Sequence, residues 1–292
     1  MSAPTLFQGH ISTKRKVVDK LFRVACFAAA MIAAVFLVLL LYSVFKDGFG
    51  RLNADFFDTF TSRFPHKAGI KASLWGTVWV ITLTALIAIP IGVAAAIYLE
   101  EFVTKSSRLA AFVQLNISNL AGVPSIIYGL LGLALFVRFF ALDRSVIAGA
   151  LTMSLLVLPM IIVVSQEAIR AVPQSLREGA LAVGATRWQA VRTQVLPAAM
   201  SGITTGIILS LSRAMGESAP LITIGAVTFI ATTPKALGDK FTVLPIQIFD
   251  WSSRPQPGYH EAAAAAIIVL LTVLLLLNGV AIVIRARSQK RF

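Results

Sequence analysis

Six apolar stretches, each long enough to cross a bilayer, leave this chain few ways to fold. They run Val24–Phe45, Leu74–Leu99, Leu109–Val137, Ser145–Gln166, Thr193–Ile230 and Ala262–Ile284. A helix needs roughly 20 apolar residues to span a hydrocarbon core about 30 Å thick. Lipid offers the backbone no hydrogen-bond partners, so such stretches must satisfy their own polar groups as helices. The expected class is all-α, a polytopic membrane protein with six transmembrane helices. Charged residues make up only 13% of the chain, against about 25% in soluble domains. The first stretch exceeds the about 7–15 residues of a signal-peptide core and reads as a retained helix. Leu109–Val137 is long enough for part of it to lie at the interface. Thr193–Ile230 contains Arg213 and Glu217 and reads as one tilted span plus a partial re-entry.

The net charge is +13. Basic residues cluster at span ends, so membrane topology explains the excess and nucleic acid is not expected as a partner. Lys14, Arg15, Lys16, Lys20 and Arg23 precede the first span, and Arg285, Arg287, Lys290 and Arg291 follow the last. Both termini are therefore expected in the cytoplasm. Arg138 and Arg170 read as anchors at span ends. Two external segments result, Lys46–Lys71 and Ala231–His260. The second is rich in proline and carries Trp251 and Tyr259, aromatic residues suited to a membrane interface.

Cys26 is the single cysteine and has no partner for an internal disulfide. The chain holds no P-loop pattern, no H-E-x-x-H and no Cys/His metal spacing. No catalytic residue and no metal site are expected, and the chain cannot hydrolyse ATP by a Walker-type site on its own. Gly202 and Gly206 match the close-packing spacing of membrane helices.

The loop between the fourth and fifth spans carries the most local information. Pro173 stops the preceding helix. Ser175 with Glu178 has the spacing of a capping box that opens a new helix. Leu176, Ala180 and Val183 give that helix a narrow apolar face, and Gly184 ends it. Thr186 with Gln189 can cap a second helix carrying Arg187 and Trp188. The element is either an interfacial anchor or a docking knob for a cytoplasmic partner.

Glu178, Ala180, Gly184, Leu196 and Pro197 resemble, in register, the E-A-A-x-x-x-G loop of ATP-binding-cassette (ABC) importer permeases. Gly179 replaces an alanine of that pattern and Gln194 an isoleucine. The resemblance implies the type I ABC importer permease fold. It also implies a coupling loop over residues 170–193 that seats on an ATPase subunit through Glu178, Gly179, Ala180, Gly184, Arg187 and Trp188. On this division residues 1–23 form a cytoplasmic segment and 24–45 the first helix. Residues 46–71 form a periplasmic loop, 72–284 the permease core and 285–292 a cytoplasmic tail.

Arg213 and Glu217 lie inside an apolar stretch, where a charge costs about 2.5–3.5 kcal/mol on insertion scales. Four residues apart, they can pair on one helix face. Either they neutralise each other or they mark an anion site on a translocation path, with Ser218 beside them. The guanidinium fork suits a tetrahedral oxyanion, and a carboxylate acceptor favours hydrogenphosphate, which offers an OH, over sulfate. Pro124, Ser125 and Pro220 mark kinks or a gate.

The segments Gly122–Leu130 and Arg213–Leu221 are similar to those of phosphate-specific ABC importer permeases, most of all their A-type subunit. That resemblance implies inward transport of inorganic phosphate across the bacterial cytoplasmic (inner) membrane. It implies a sister permease, two copies of an ATPase that carry ATP and Mg, and an external phosphate-binding protein, with no cofactor in this chain. A permease for molybdate or sulfate, the sister C-type subunit, or an ATPase-independent secondary transporter or channel are the alternatives.

Overall fold

The computed structural model describes residues 13–104 and 107–288, with side chains for 18–104 and 107–286. His10, Lys105, Lys290 and Arg291, and the side chains of Lys14, Arg15, Lys16 and Arg287, lie outside the described residues. Much of the expected segment 1–23 and tail 285–292 lies outside them too.

The described residues form twelve α-helices and no strand beyond one isolated bridge, Ser145 to Lys240. In chain order they are α1 (Thr13–Gly48), α2 (Ala54–Asp58), α3 (Lys71–Ile97), α4 (Arg108–Ala121), α5 (Ser125–Gly132) and α6 (Val146–Arg170). Then come α7 (Gln174–Ala182), α8 (Arg187–Ala190), α9 (Leu196–Met215), α10 (Ala219–Ile224), α11 (Leu244–Ser252) and α12 (Pro257–Ser288). π turns at Tyr98–Phe102 and Leu133–Phe139 extend α3 and α5, and one at Val191–Val195 joins α8 to α9.

Among the described residues, five segments are long and apolar enough to cross a membrane: Val18–Arg51, Lys71–Phe102, Val146–Arg170, Arg187–Met215 and Pro257–Ala286. The expected span Leu109–Val137, in which Pro124 marked a kink or gate, is two helices bent by 103°. Gly122 closes α4 and Pro124 stands at the N-cap of α5, where its missing N–H costs nothing. The expected stretch Thr193–Ile230 also breaks. Its helix stops at Met215, the short α10 follows, and Gly225 closes that helix in the left-handed region at φ 83°. Residues after Gly225 run irregularly to α11. Counting the bent pair as one pass, the start of α1 and the end of α12 lie at the end that carries the loop 171–186.

Helix α6 is the axis of the bundle: 61% of its apolar window is buried, against none for α1. The outward faces of α1 and α12 expose Phe27, Phe36, Leu275 and Leu276, as a lipid-contacting surface requires. Gly202 and Gly206 let α9 approach α6. A Cβ at Gly202 would come within 2.8 Å of the Ala168 Cβ, and one at Gly206 within 2.7 Å of the Val164 side chain. The expected small-residue packing face is therefore real.

At the opposite end, the two long connectors pack on each other. Asn53 caps α2 and turns Phe56 inward against Trp251, with ring centroids 6.2 Å apart. Tyr259 donates to the carbonyls of Ser62 and Arg63, and Thr61 hydrogen-bonds Gln247 at 3.0 Å. Trp251 and Tyr259 are buried, at 0% and 2% exposure, which corrects their reading as interfacial aromatics. The partner that buries them lies about two hundred residues earlier in the chain.

Candidate functional site

Two helix breaks face one cavity of about 360 Å³. Pro124 and Ser125 line it from the α4–α5 bend, Ser210 and Arg213 from the end of α9, and Glu217 from the turn before α10. The glycine contacts fix its depth. Gly202 opposes Ala168 and Gly206 opposes Val164 in antiparallel register, which brings Arg213 level with Val157. Val157 also lines the cavity. It stands near the middle of α6, about 16 Å from the helix start at 1.5 Å per residue. The cavity is therefore at half-depth in the bundle.

Arg213 and Glu217 do not form the ion pair that their spacing allowed. Spacing of four residues brings side chains together only on an unbroken helix. Here α9 ends at Met215, and the Gly216 and Glu217 N–H groups turn back to the Arg213 and Ala214 carbonyls. Glu217 sits beyond the helix end. Arg213 is exposed to the cavity and Glu217 is half-buried in its wall. Tyr128 donates to the Leu120 carbonyl at 2.7 Å and so pins the bend.

Of the residues marked as kinks or path, Pro124 and Ser125 join Arg213 and Glu217. Ser218 and Pro220 do not line the cavity. Ser218 is the N-cap of α10, and its carbonyl accepts from the Ile222 N–H. Pro220 packs on α5, where a Cβ at Gly129 would lie 2.7 Å from the Pro220 Cα. The bend around residues 216–218 belongs to Gly216 more than to Pro220.

The loop 171–186 sits at the end holding the start of α1 and the end of α12. Glu178, Gly179, Gly184, Arg187 and Trp188 are exposed and Ala180 is half-buried. Gly184 adopts φ 86° directly after the first helix, as expected. Thr186 and Gln189 form the expected reciprocal capping box. The first box does not form: α7 starts at Gln174 behind Pro173, which places Ser175 inside the helix. The expected apolar face is shorter than its pattern. Leu176 packs beside Ile169, Val172 and Val195, but Val183 is 86% exposed. Arg187 lies over the Phe102 ring at 5.7 Å.

Sequence reasoning passed over Glu100 and Glu101. Glu100 pairs with Arg170, which is thus more than a topological anchor. Glu101 pairs with Arg177 at 2.8 Å, with both side chains largely buried. Two consecutive carboxylates at the end of an apolar run were the available signal.

Residues 88–290 match the family described as binding-protein-dependent transport system inner membrane component. The chain belongs to this family. Several relatives in it align over most of both chains. A probable ABC transporter permease of Bacillus subtilis, YqgI, is 34% identical over 73% of this chain and 72% of its own. A phosphate transport system permease protein of Mycobacterium tuberculosis, PstA 1, is 32% identical over 76% and 73%. The corresponding PstA protein of Haemophilus influenzae is 31% identical over 82% and 84%. Among solved structures, a chain of the MetNI methionine ABC transporter in inward-facing conformation superposes with TM-score 0.58. It has 20% identity over 75% of this chain and 94% of that one. A chain of a bacterial ABC transporter involved in alginate import gives 0.57 at 18% identity over 94% and 99%. These likenesses establish the type I importer permease fold for this transport component.

Proposed function

We propose that this chain is the permease subunit, of A type, of an ABC importer that carries inorganic phosphate into the bacterial cytoplasm. The observation that carries the reading is the cavity at half-depth into which Arg213 and Glu217 open without pairing with each other. A charge kept at that depth without a partner serves an occupant. Arg213 offers a donor fork to anionic oxygens. Glu217 as carboxylate only accepts, so it fits an oxyanion that carries an OH. Helix α5 begins at the cavity wall, and its N-terminal dipole favours negative charge there. The relatives named phosphate transport permeases support the same substrate.

On this reading both termini and the loop 171–186 face the cytoplasm. Glu178, Gly179, Ala180, Gly184, Arg187 and Trp188 meet one of two ATPase subunits, which bind ATP and Mg and perform all hydrolysis. A sister permease completes the path, and an external phosphate-binding protein delivers the anion. This chain itself is no enzyme and holds no cofactor.

The test is uptake of labelled phosphate by proteoliposomes holding the complete complex and its binding protein. The reading predicts uptake that needs ATP, is inhibited by unlabelled phosphate, and resists sulfate and molybdate. Uptake without ATP would replace the reading with a secondary transporter.

A further inference from the structure

We infer that Arg177 is the positioning residue that carries movement of the exposed helix α7 into the span bundle, by holding Glu101, the Ile169 carbonyl of α6 and the Val172 carbonyl just past its end at once. The inference rests on the transport reading above and adds to it the route of coupling.

All three guanidinium nitrogens of Arg177 are engaged. Nε and Nη2 donate to Glu101 Oε1 at 3.0 and 2.8 Å. Nη1 donates to the Val172 carbonyl at 2.7 Å and Nη2 to the Ile169 carbonyl at 2.8 Å. The last carbonyls of a helix lack partners within it, so Arg177 also closes the end of α6. Glu101 stands in the π turn that ends α3. One side chain of α7 thereby joins the ends of two spans.

The rest of α7 is attached weakly. Leu176 packs on the bundle beside Ile169 and Val172. Beyond Arg177, Glu178, Gly179, Leu181 and Ala182 are exposed. A load applied to that surface reaches α3 and α6 through Arg177, and α6 and the turn into α9 through Leu176 against Ile169 and Val195. The neighbouring pair, Arg170 with Glu100, differs in kind: its arginine side chain is 57% exposed, against 16% for Arg177. Solvent screens the first pair far more than the second. Lysine would keep the charge at 177 but lose the planar fork that reaches both a carboxylate and two carbonyls.

The experiment uses the complete complex in proteoliposomes carrying Arg177→Lys or Glu101→Gln. ATP hydrolysis, phosphate import and the amount of ATPase subunit retained are measured together. The expected result is full retention of the ATPase subunit, with import per ATP lowered about tenfold, within the ordinary span of coupling energies. A second readout needs no substrate. Met160→Cys in the cavity wall, on a Cys26→Ser background, is labelled with a water-soluble maleimide with and without ATP. Labelling should change with ATP in the parent and stop changing in both variants. Unaltered import per ATP together with ATP-dependent labelling in the variants would overturn the inference. Loss of the ATPase subunit in proportion to lost import would overturn it too, reducing Arg177 to a structural residue. A parent complex whose labelling responds to ATP but which imports no phosphate counts against the substrate reading alone.

Discussion

Arg213 and Glu217 stand four residues apart on either side of a helix end, and both open into one cavity without touching each other. Had α9 continued for one more turn, the two would face each other on one helix surface and neutralise. The stop at Gly216 leaves the cation free to donate and the carboxylate free to accept.

Glu217→Gln removes the charge but keeps the shape, and it adds a donor where there was only an acceptor. Phosphate uptake is expected to fall by about 10-fold or more, since a buried group that loses its partner costs roughly 1–3 kcal/mol. Discrimination against sulfate is expected to relax as well. Competition by sulfate for labelled phosphate, compared between parent and variant, checks both.

Gly184 and Gly179 separate conformation from space. Both have open room for a Cβ, but only Gly184 sits at positive φ, 86°. Gly184→Ala should cost about 1–2 kcal/mol in the turn between α7 and α8 and reduce retention of the ATPase subunit. Gly179→Ala should leave retention intact and firm α7, because alanine is the better helix former by about 0.5–1 kcal/mol. Co-purification of the ATPase with each variant is the check.

Trp251→Ala empties a fully buried site against Phe56. Loss of a buried aromatic costs about 3–5 kcal/mol, so the thermal midpoint in detergent should drop by several degrees. Trp188→Ala, half exposed on the loop 171–186, should leave it nearly unchanged.

Asp239 accepts from the Lys235 and Ala236 N–H groups at 2.7 and 2.9 Å. The Lys235 N–H, then that of Ala236, holds its carboxyl below the usual carboxylate range. A depressed folded pKa means the contribution is present above the unfolded value of 3.8 and is lost as pH falls through the folded value. Protection of those two amides against hydrogen exchange should therefore hold steady between about pH 5 and 8. In Asp239→Asn it should be weaker throughout that range.

The chain's local signals carried the fold a long way. Apolar runs located the spans, Pro124 located the bend, Gly184 the turn and Thr186 with Gln189 the second cap. What they missed depends on chain that is distant in sequence. Trp251 looks interfacial until Phe56, far upstream, closes over it. Arg177 looks like one more basic residue of the loop after the fourth span until the π turn at Tyr98–Phe102 brings Glu101 beside it. Spacing alone left open whether Arg213 and Glu217 pair, because spacing cannot show where a helix stops. Ser175 failed as a cap for a related reason: Pro173, two residues earlier, already supplies the extended conformation from which α7 starts.

The central claim is that Arg213 works on the phosphate path and not in the framework. Its most direct test is labelled phosphate uptake by the assembled complex carrying Arg213→Ala, with subunit content measured on the same preparation. The account predicts a complex of normal composition that hydrolyses ATP and imports no phosphate. Import at the parental rate by that complex would contradict it.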